Sequence, residues 1–142
     1  MSIFIGGTGS ANELDDYEEG TFDAINNYNT VWYSNENKCS YTKIGRQVTC
    51  MGQIRVYSGS GDVKLALPFN TANGTEGEFK GAGALNTYGY DWPTGTSIGV
   101  LIEQNTAYVY PAVTSQDNGG WNVFQHTSGG YLRFTFTYFT DS

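Results

Sequence analysis

Residues 131–139 alternate between two kinds of side chain. Leu132, Phe134, Phe136 and Tyr138 fall on one side of an extended backbone, and Arg133, Thr135 and Thr137 on the other. That two-residue period is the mark of a strand with one buried face. The same period runs through 47–57, where Val48, Cys50, Gly52, Ile54 and Val56 form an inner set and Gln47, Thr49, Met51, Gln53 and Arg55 an outer one. Apolar-rich stretches predict further strands over 29–33, 40–44, 63–67, 78–85, 98–103 and 107–113. Turn chemistry separates them at Gly45-Arg46, 58–62, Asn73-Gly74, 86–90, Gln104-Asn105, 117–120 and 128–130. Short strands punctuated in this way predict an all-β domain, an antiparallel β-sandwich of jelly-roll-like form, over residues 21–142. Residues 1–20 read as an extended N-terminal arm and acidic docking segment, loosened by Gly6, Gly7 and Gly9. A capping-box pattern, Ser10-Ala-Asn-Glu13, with Leu14 and Tyr17 on one helical face, allows a turn or two of helix there.

Composition narrows the class. Charged residues make up 15% of the 142 and aromatic residues another 15%, which excludes helical bundles and disordered chains alike. No apolar run approaches the roughly 18 residues of a membrane span, and the start Met-Ser-Ile-Phe-Ile-Gly-Gly lacks the basic lead of a secretory signal. The net charge of −7 is unevenly spread. Residues 1–37 hold seven acids and no Lys or Arg, while the remainder is formally neutral. Without a basic cluster, nucleic acid and anionic membrane are poor partners. The acidic stretch reads either as a solvated, self-repelling segment or as one that docks on a basic surface.

Candidate chemistry is sparse. With a two-residue turn at Gly45-Arg46, Lys43 faces Val48 and Tyr41 faces Cys50, which leaves Cys39 too far along to bridge Cys50 directly. Both cysteines therefore read as reduced, small apolar side chains suited to folding in a reducing cytosol. Two Cys and one His, His126, do not complete a four-ligand zinc site. The order Asp15-Asp16-Tyr17-Glu18-Glu19-Gly20 lacks the alternation of a calcium-binding loop. A glycosidase needs two carboxyls on facing walls roughly 5–10 Å apart, and acids adjacent on one segment do not supply them. No Gly-x-Ser-x-Gly elbow or phosphate-cradling Gly-x-x-x-x-Gly-Lys occurs. No catalytic residue, metal or cofactor is expected. Aromatic surface remains: Tyr88, Tyr90, Asp91 and Trp92 in one loop-like stretch and Trp121 after another. Tyr and Trp stack on the apolar faces of sugar rings while nearby Asp and Asn hydrogen-bond the hydroxyls. The alternative is that Trp92 and Trp121 close the ends of the sandwich or an oligomer interface.

One stretch carries a resemblance. The segment Gly6-Gly-Thr-Gly-Ser-Ala-Asn-Glu-Leu-Asp-Asp-Tyr-Glu-Glu-Gly-Thr-Phe22 resembles the lead-in to the terminal β domain of tailed-bacteriophage fibre-tip proteins. Tyr41-Thr-Lys-Ile-Gly-Arg-Gln-Val-Thr49 and Leu67-Pro-Phe-Asn-Thr-Ala-Asn73 resemble two further landmarks of that family, and the final strand ends the chain as theirs does. The resemblance implies a non-enzymatic virion structural protein, a homotrimer displayed on the particle surface after folding in the host cytoplasm. With only a short lead before the motif, it implies a knob or fibre-tip-like module without a shaft, mounted on another virion protein. Ile3, Phe4 and Ile5, with Asp15, Asp16, Glu18 and Glu19, are then the expected virion-docking elements. The aromatic loops are the expected contact to host-cell surface polysaccharide. Other readings are a capsid decoration protein, a polysaccharide-degrading tailspike-like enzyme and a cellular carbohydrate-binding module. The second of these would carry long repeats, and none is present.

Overall fold

The computed structural model describes residues 3–4, 13–14, 16–24, 30–32, 38–59, 61–90, 92, 95–115, 120–123 and 130–141. They contain twelve strands: β1 (Ile3–Phe4), β2 (Glu13–Leu14), β3 (Tyr17–Asp23), β4 (Thr30–Trp32), β5 (Lys38–Ile44), β6 (Gln47–Gly59), β7 (Leu65–Ala66), β8 (Gly81–Tyr88), β9 (Thr96–Ile102), β10 (Tyr108–Ser115), β11 (Trp121–Val123) and β12 (Tyr131–Phe139). No helix is present among the described residues, and the protein is all-β and antiparallel. The helical turn that the capping box allowed is replaced by β2 and β3. Ile3 pairs with Leu14 and Phe4 with Glu13 in a separate two-stranded sheet.

The main sheet runs β11-β10-β9-β8-β12-β6-β5-β3, with β4 paired to β6 and β7 to β10. Two antiparallel meanders, β3-β5-β6 and β8-β9-β10-β11, are joined by β12, which lies between β6 and β8. Short β7 nearly closes the ring. Its Leu65 and Ala66 pair with Val109 and Tyr108 of β10, while the Ala66 N–H donates to the carbonyl of Ala24, just beyond β3, at 2.9 Å. The sheet is thus nearly a barrel.

The alternating faces are as the periodicity predicts. Val48, Cys50, Ile54 and Val56 of β6 and Leu132, Phe134, Phe136 and Tyr138 of β12 are all buried, together with Leu65, Leu85, Val100, Ile102 and Val109. Each fully buried Leu, Ile or Val contributes about 1.5–3 kcal/mol of burial energy. The β5–β6 hairpin turns in two residues, with Lys43 opposite Val48 and Tyr41 opposite Cys50. Gly45 takes φ 57° at the first turn position, which a side chain would strain. Both cysteines are free and buried, and burial pushes each thiol up to about 12.

Sharp curvature shows on the inner face. Gly20 lies across from Tyr41 and Gly52 across from Cys39. A methyl group at Gly52 would come within 2.3 Å of the Cys39 sulfur, and one at Gly83 within 2.3 Å of the Phe136 Cβ. Inward-pointing side chains converge where a sheet bends this strongly, so glycine occupies one member of each pair.

Boundaries differ from expectation in places. β3 and β11 are strands where none was expected, and β3 runs across the 20/21 boundary drawn between arm and domain. The expected turn over 86–90 begins only at Gly89, with φ 77°. The chain stays extended through Tyr88 because Asn86 and Tyr88 are in register with Arg133 and Tyr131.

Candidate functional site

Three strands present their outward residues to one another in rows. In one row Gln53 of β6 stands opposite Arg133 of β12, which stands opposite Asn86 of β8; in the next the order is Arg55, Tyr131, Tyr88. From these rows Gln53, Asn86, Tyr88, Tyr131 and Arg133, together with Thr87, line a cleft of about 460 Å³. That volume lies within the roughly 300–1,000 Å³ of small-ligand clefts.

The cleft is organised by polar and aromatic contacts. Arg133 Nε donates to the Gln53 Oε1 at 2.6 Å, which fixes the guanidinium plane. Arg55 stacks over the Tyr131 ring at 5.0 Å, and the rings of Tyr88 and Tyr131 are 6.2 Å apart. Tyr88 is 76% exposed, so its ring offers a face to solvent.

The expected glycan-contact residues divide into separate groups. Tyr88 lines the cleft. Tyr90 and Trp92 instead pack against the core. The Tyr90 hydroxyl donates to the Gly130 carbonyl at 3.2 Å, and Trp92 Nε1 donates to the Thr87 hydroxyl at 2.6 Å. Burial pushes the Tyr90 phenol up to about 12. These two partly buried rings lie beside the cleft, and of the pair Trp92 and Trp121 that the alternative reading assigned to closing the sandwich, Trp92 is the one packed against the core. Trp121 is 68% exposed on β11, three strands from Tyr88 in the sheet order, or about 14 Å along the surface at ~4.8 Å per strand. Asp91 and His126 lie outside the described residues.

Of the expected docking acids, Glu18 and Glu19 sit on β3 and Asp16 just before it. Lys43, buried at the end of the barrel, donates to both oxygens of Asp16 at 2.8 and 2.9 Å. The Tyr41 hydroxyl donates to Glu18, whose carboxylate holds that phenol above its ordinary range. The Tyr17 hydroxyl donates to Glu19 at 2.8 Å. Ile3 and Phe4 form β1, while Ile5 and Asp15 lie outside the described residues. Beside this acidic strand an exposed apolar row crosses the sheet: Tyr17, Ile44 and Phe139, with Gln47 between the last two.

Gln53, Asn86, Tyr131 and Arg133 were not among the expected site residues. The outer set of each strand was readable, but not which strands would be neighbours. Among the described residues no group of three His, Cys, Asp or Glu side chains is placed to hold a metal ion. Comparison with family models, curated proteins and solved structures finds no match to this chain.

Proposed function

We propose that this protein is a non-enzymatic surface module of a tailed-phage virion that binds host-cell glycans. The observation that carries this reading is the cleft of β6, β12 and β8. Its lining consists of two tyrosine rings, two amides, a hydroxyl and a guanidinium, groups that stack on and hydrogen-bond a sugar. The Leu14–Phe22 motif that resembles phage fibre tips runs through most of β3, the edge strand carrying the acids Glu18 and Glu19. In this reading the opposed walls of the barrel form a flattened, jelly-roll-like sandwich. Residues 1–20 act as the arm that seats the module on another virion protein. The exposed row of Tyr17, Ile44 and Phe139 supports self-association as a homotrimer, since apolar surface of this kind gains by burial between subunits.

A reconstruction of the particle with labelled antibody tests the assignment. Density at the tail tip is the expected result. Density on the head would replace this reading with a decoration protein, and release of reducing sugar from host polysaccharide would replace it with an enzyme. Deleting residues 1–12 is expected to release the protein from particles, and unchanged incorporation would overturn the role given to the arm.

A further inference from the structure

We propose that the cleft of β6, β12 and β8 selects a saccharide bearing a carboxylate, with Arg133 holding the carboxylate and Tyr88 stacking on the ring. The inference rests on the glycan-binding reading and names the ligand's chemical class. Three observations carry it.

The first is the pairing of the basic residues. Lys43, Arg46 and Lys80 each face a carboxylate, on Asp16, Asp141 and Glu103. Arg133 instead faces the neutral amide of Gln53. In a chain of net charge −7, the guanidinium of Arg133 thus keeps its positive charge without a protein counter-ion among the described residues.

The second is geometry. Arg133 uses only Nε on Gln53, so both terminal nitrogens of its planar fork remain for a ligand among the described residues. A fork of this kind matches the two oxygens of a carboxylate. Gln53 and Asn86, on either side of Arg133 in the same row, add amide donors and acceptors for adjacent hydroxyls.

The third is charge. The cleft lining contains no carboxylate, and the guanidinium of Arg133 is the charged group in it. An anionic ligand is attracted there, and a neutral one gains only stacking and neutral hydrogen bonds.

The test uses the full chain against oligosaccharides containing glucuronate, galacturonate, mannuronate or sialate, each beside its carboxyl-reduced neutral counterpart. The wild type is expected to bind at least one acidic member about tenfold or more tightly than its reduced counterpart, the scale of a charge-assisted bidentate contact. Arg133→Gln is expected to abolish that preference, and Arg133→Lys to restore it in part. Tyr88→Ala is expected to weaken binding of both forms alike, which separates stacking from charge recognition. Equal binding of acidic and reduced saccharides, unaltered in Arg133→Gln, would overturn the carboxylate inference and leave the glycan-binding reading standing. Binding of neither form of any saccharide would overturn both.

Discussion

Gly52→Ala tests the curvature that shapes the barrel and its outer cleft. Gly52 and Cys39 are directly opposed across β6 and β5. In an ordinary antiparallel pair the opposed Cβ atoms stand about 4.5–5.5 Å apart. Here a methyl group on residue 52 would lie 2.8 Å from the Cys39 Cβ, 2.3 Å from its sulfur and 3.1 Å from its Cα. The last of these is backbone and moves only with the strand. Overpacking of this kind costs about 1–3 kcal/mol, and the contact with backbone argues for the upper end. Against it stands about 0.5–1 kcal/mol that alanine gains over glycine within a strand. The net expectation is a loss of about 2 kcal/mol. Cys39→Gly removes the two closest obstructing atoms, and in the double variant the new methyl occupies their space. The two substitutions should therefore couple favourably by about 1–2 kcal/mol, well beyond the ~0.5 kcal/mol within which independent sites add. Urea titration of wild type, both single variants and the double variant, followed by tryptophan fluorescence and circular dichroism, measures the cycle. Wild-type stability in Gly52→Ala, or additivity in the double variant, would refute the argument from curvature.

Four further outcomes follow from the same structure. Burial raises both cysteine thiols from 9.0 to about 12. The folded protein should therefore react slowly with a disulfide reagent at about pH 8, and the denatured chain rapidly; equal rates would refute the burial. These groups hold their protons more firmly folded than unfolded, so their stabilisation is complete below pH 9 and is lost as pH rises towards about 12, which denaturant titrations across that window would show. Asp16→Asn should cost about 1–2 kcal/mol by leaving buried Lys43 without its counter-ion. That figure is reduced from the cost at a fully buried pair because the Asp16 side chain is 52% exposed. Lys43→Met removes the charge and keeps the shape, so it should cost less, and the reverse order in thermal melts would contradict this account. A chain ending at residue 130 lacks the strand that joins the two meanders and should show no cooperative unfolding transition, with folding restored by the 131–142 peptide added in trans; a cooperative transition without the peptide would show that the meanders hold together without β12.

Local chemistry was readable wherever a strand has one dry and one wet face. The alternation in 131–139 and 47–57 set both the elements and their inward residues, and Gly45-Arg46 set the β5–β6 register. β3 escaped because its side chains do not alternate between apolar and polar. Tyr17, Glu18 and Glu19 are all exposed, and Gly20 has no side chain to mark a face. What makes Tyr17–Asp23 a strand is its pairing with β5, a contact that propensity does not encode. The turn expected over 86–90 failed for the same reason. Asn86 and Gly89 are turn-favouring residues that outweigh the strand preference of Thr87 and Tyr88 until β12 is laid beside them.

The cleft was harder to read than the fold, because it belongs to no single segment. Gln53 and Arg133 are separated by 80 positions, and Asn86 comes from a third strand. They form one row only because the chain returns at its end to place β12 between β6 and β8. Aromatic residues in a glycine-rich stretch drew attention to 88–92, and Tyr88 does line the cleft. Yet Tyr90 and Trp92, which look equivalent in sequence, pack inward on the core beside the Gly130 carbonyl and the Thr87 hydroxyl. The difference lies in pairing. Tyr88 is held on the strand opposite Tyr131 and points outward by the two-residue period, whereas Tyr90 follows the turn at Gly89 and folds back over Gly130, where even a methyl group would meet its ring at 2.2 Å. Residue 130 must therefore stay glycine for the Tyr90 ring to close the barrel beside the cleft. The outer surface that this protein presents thus depends on an inward contact two residues away.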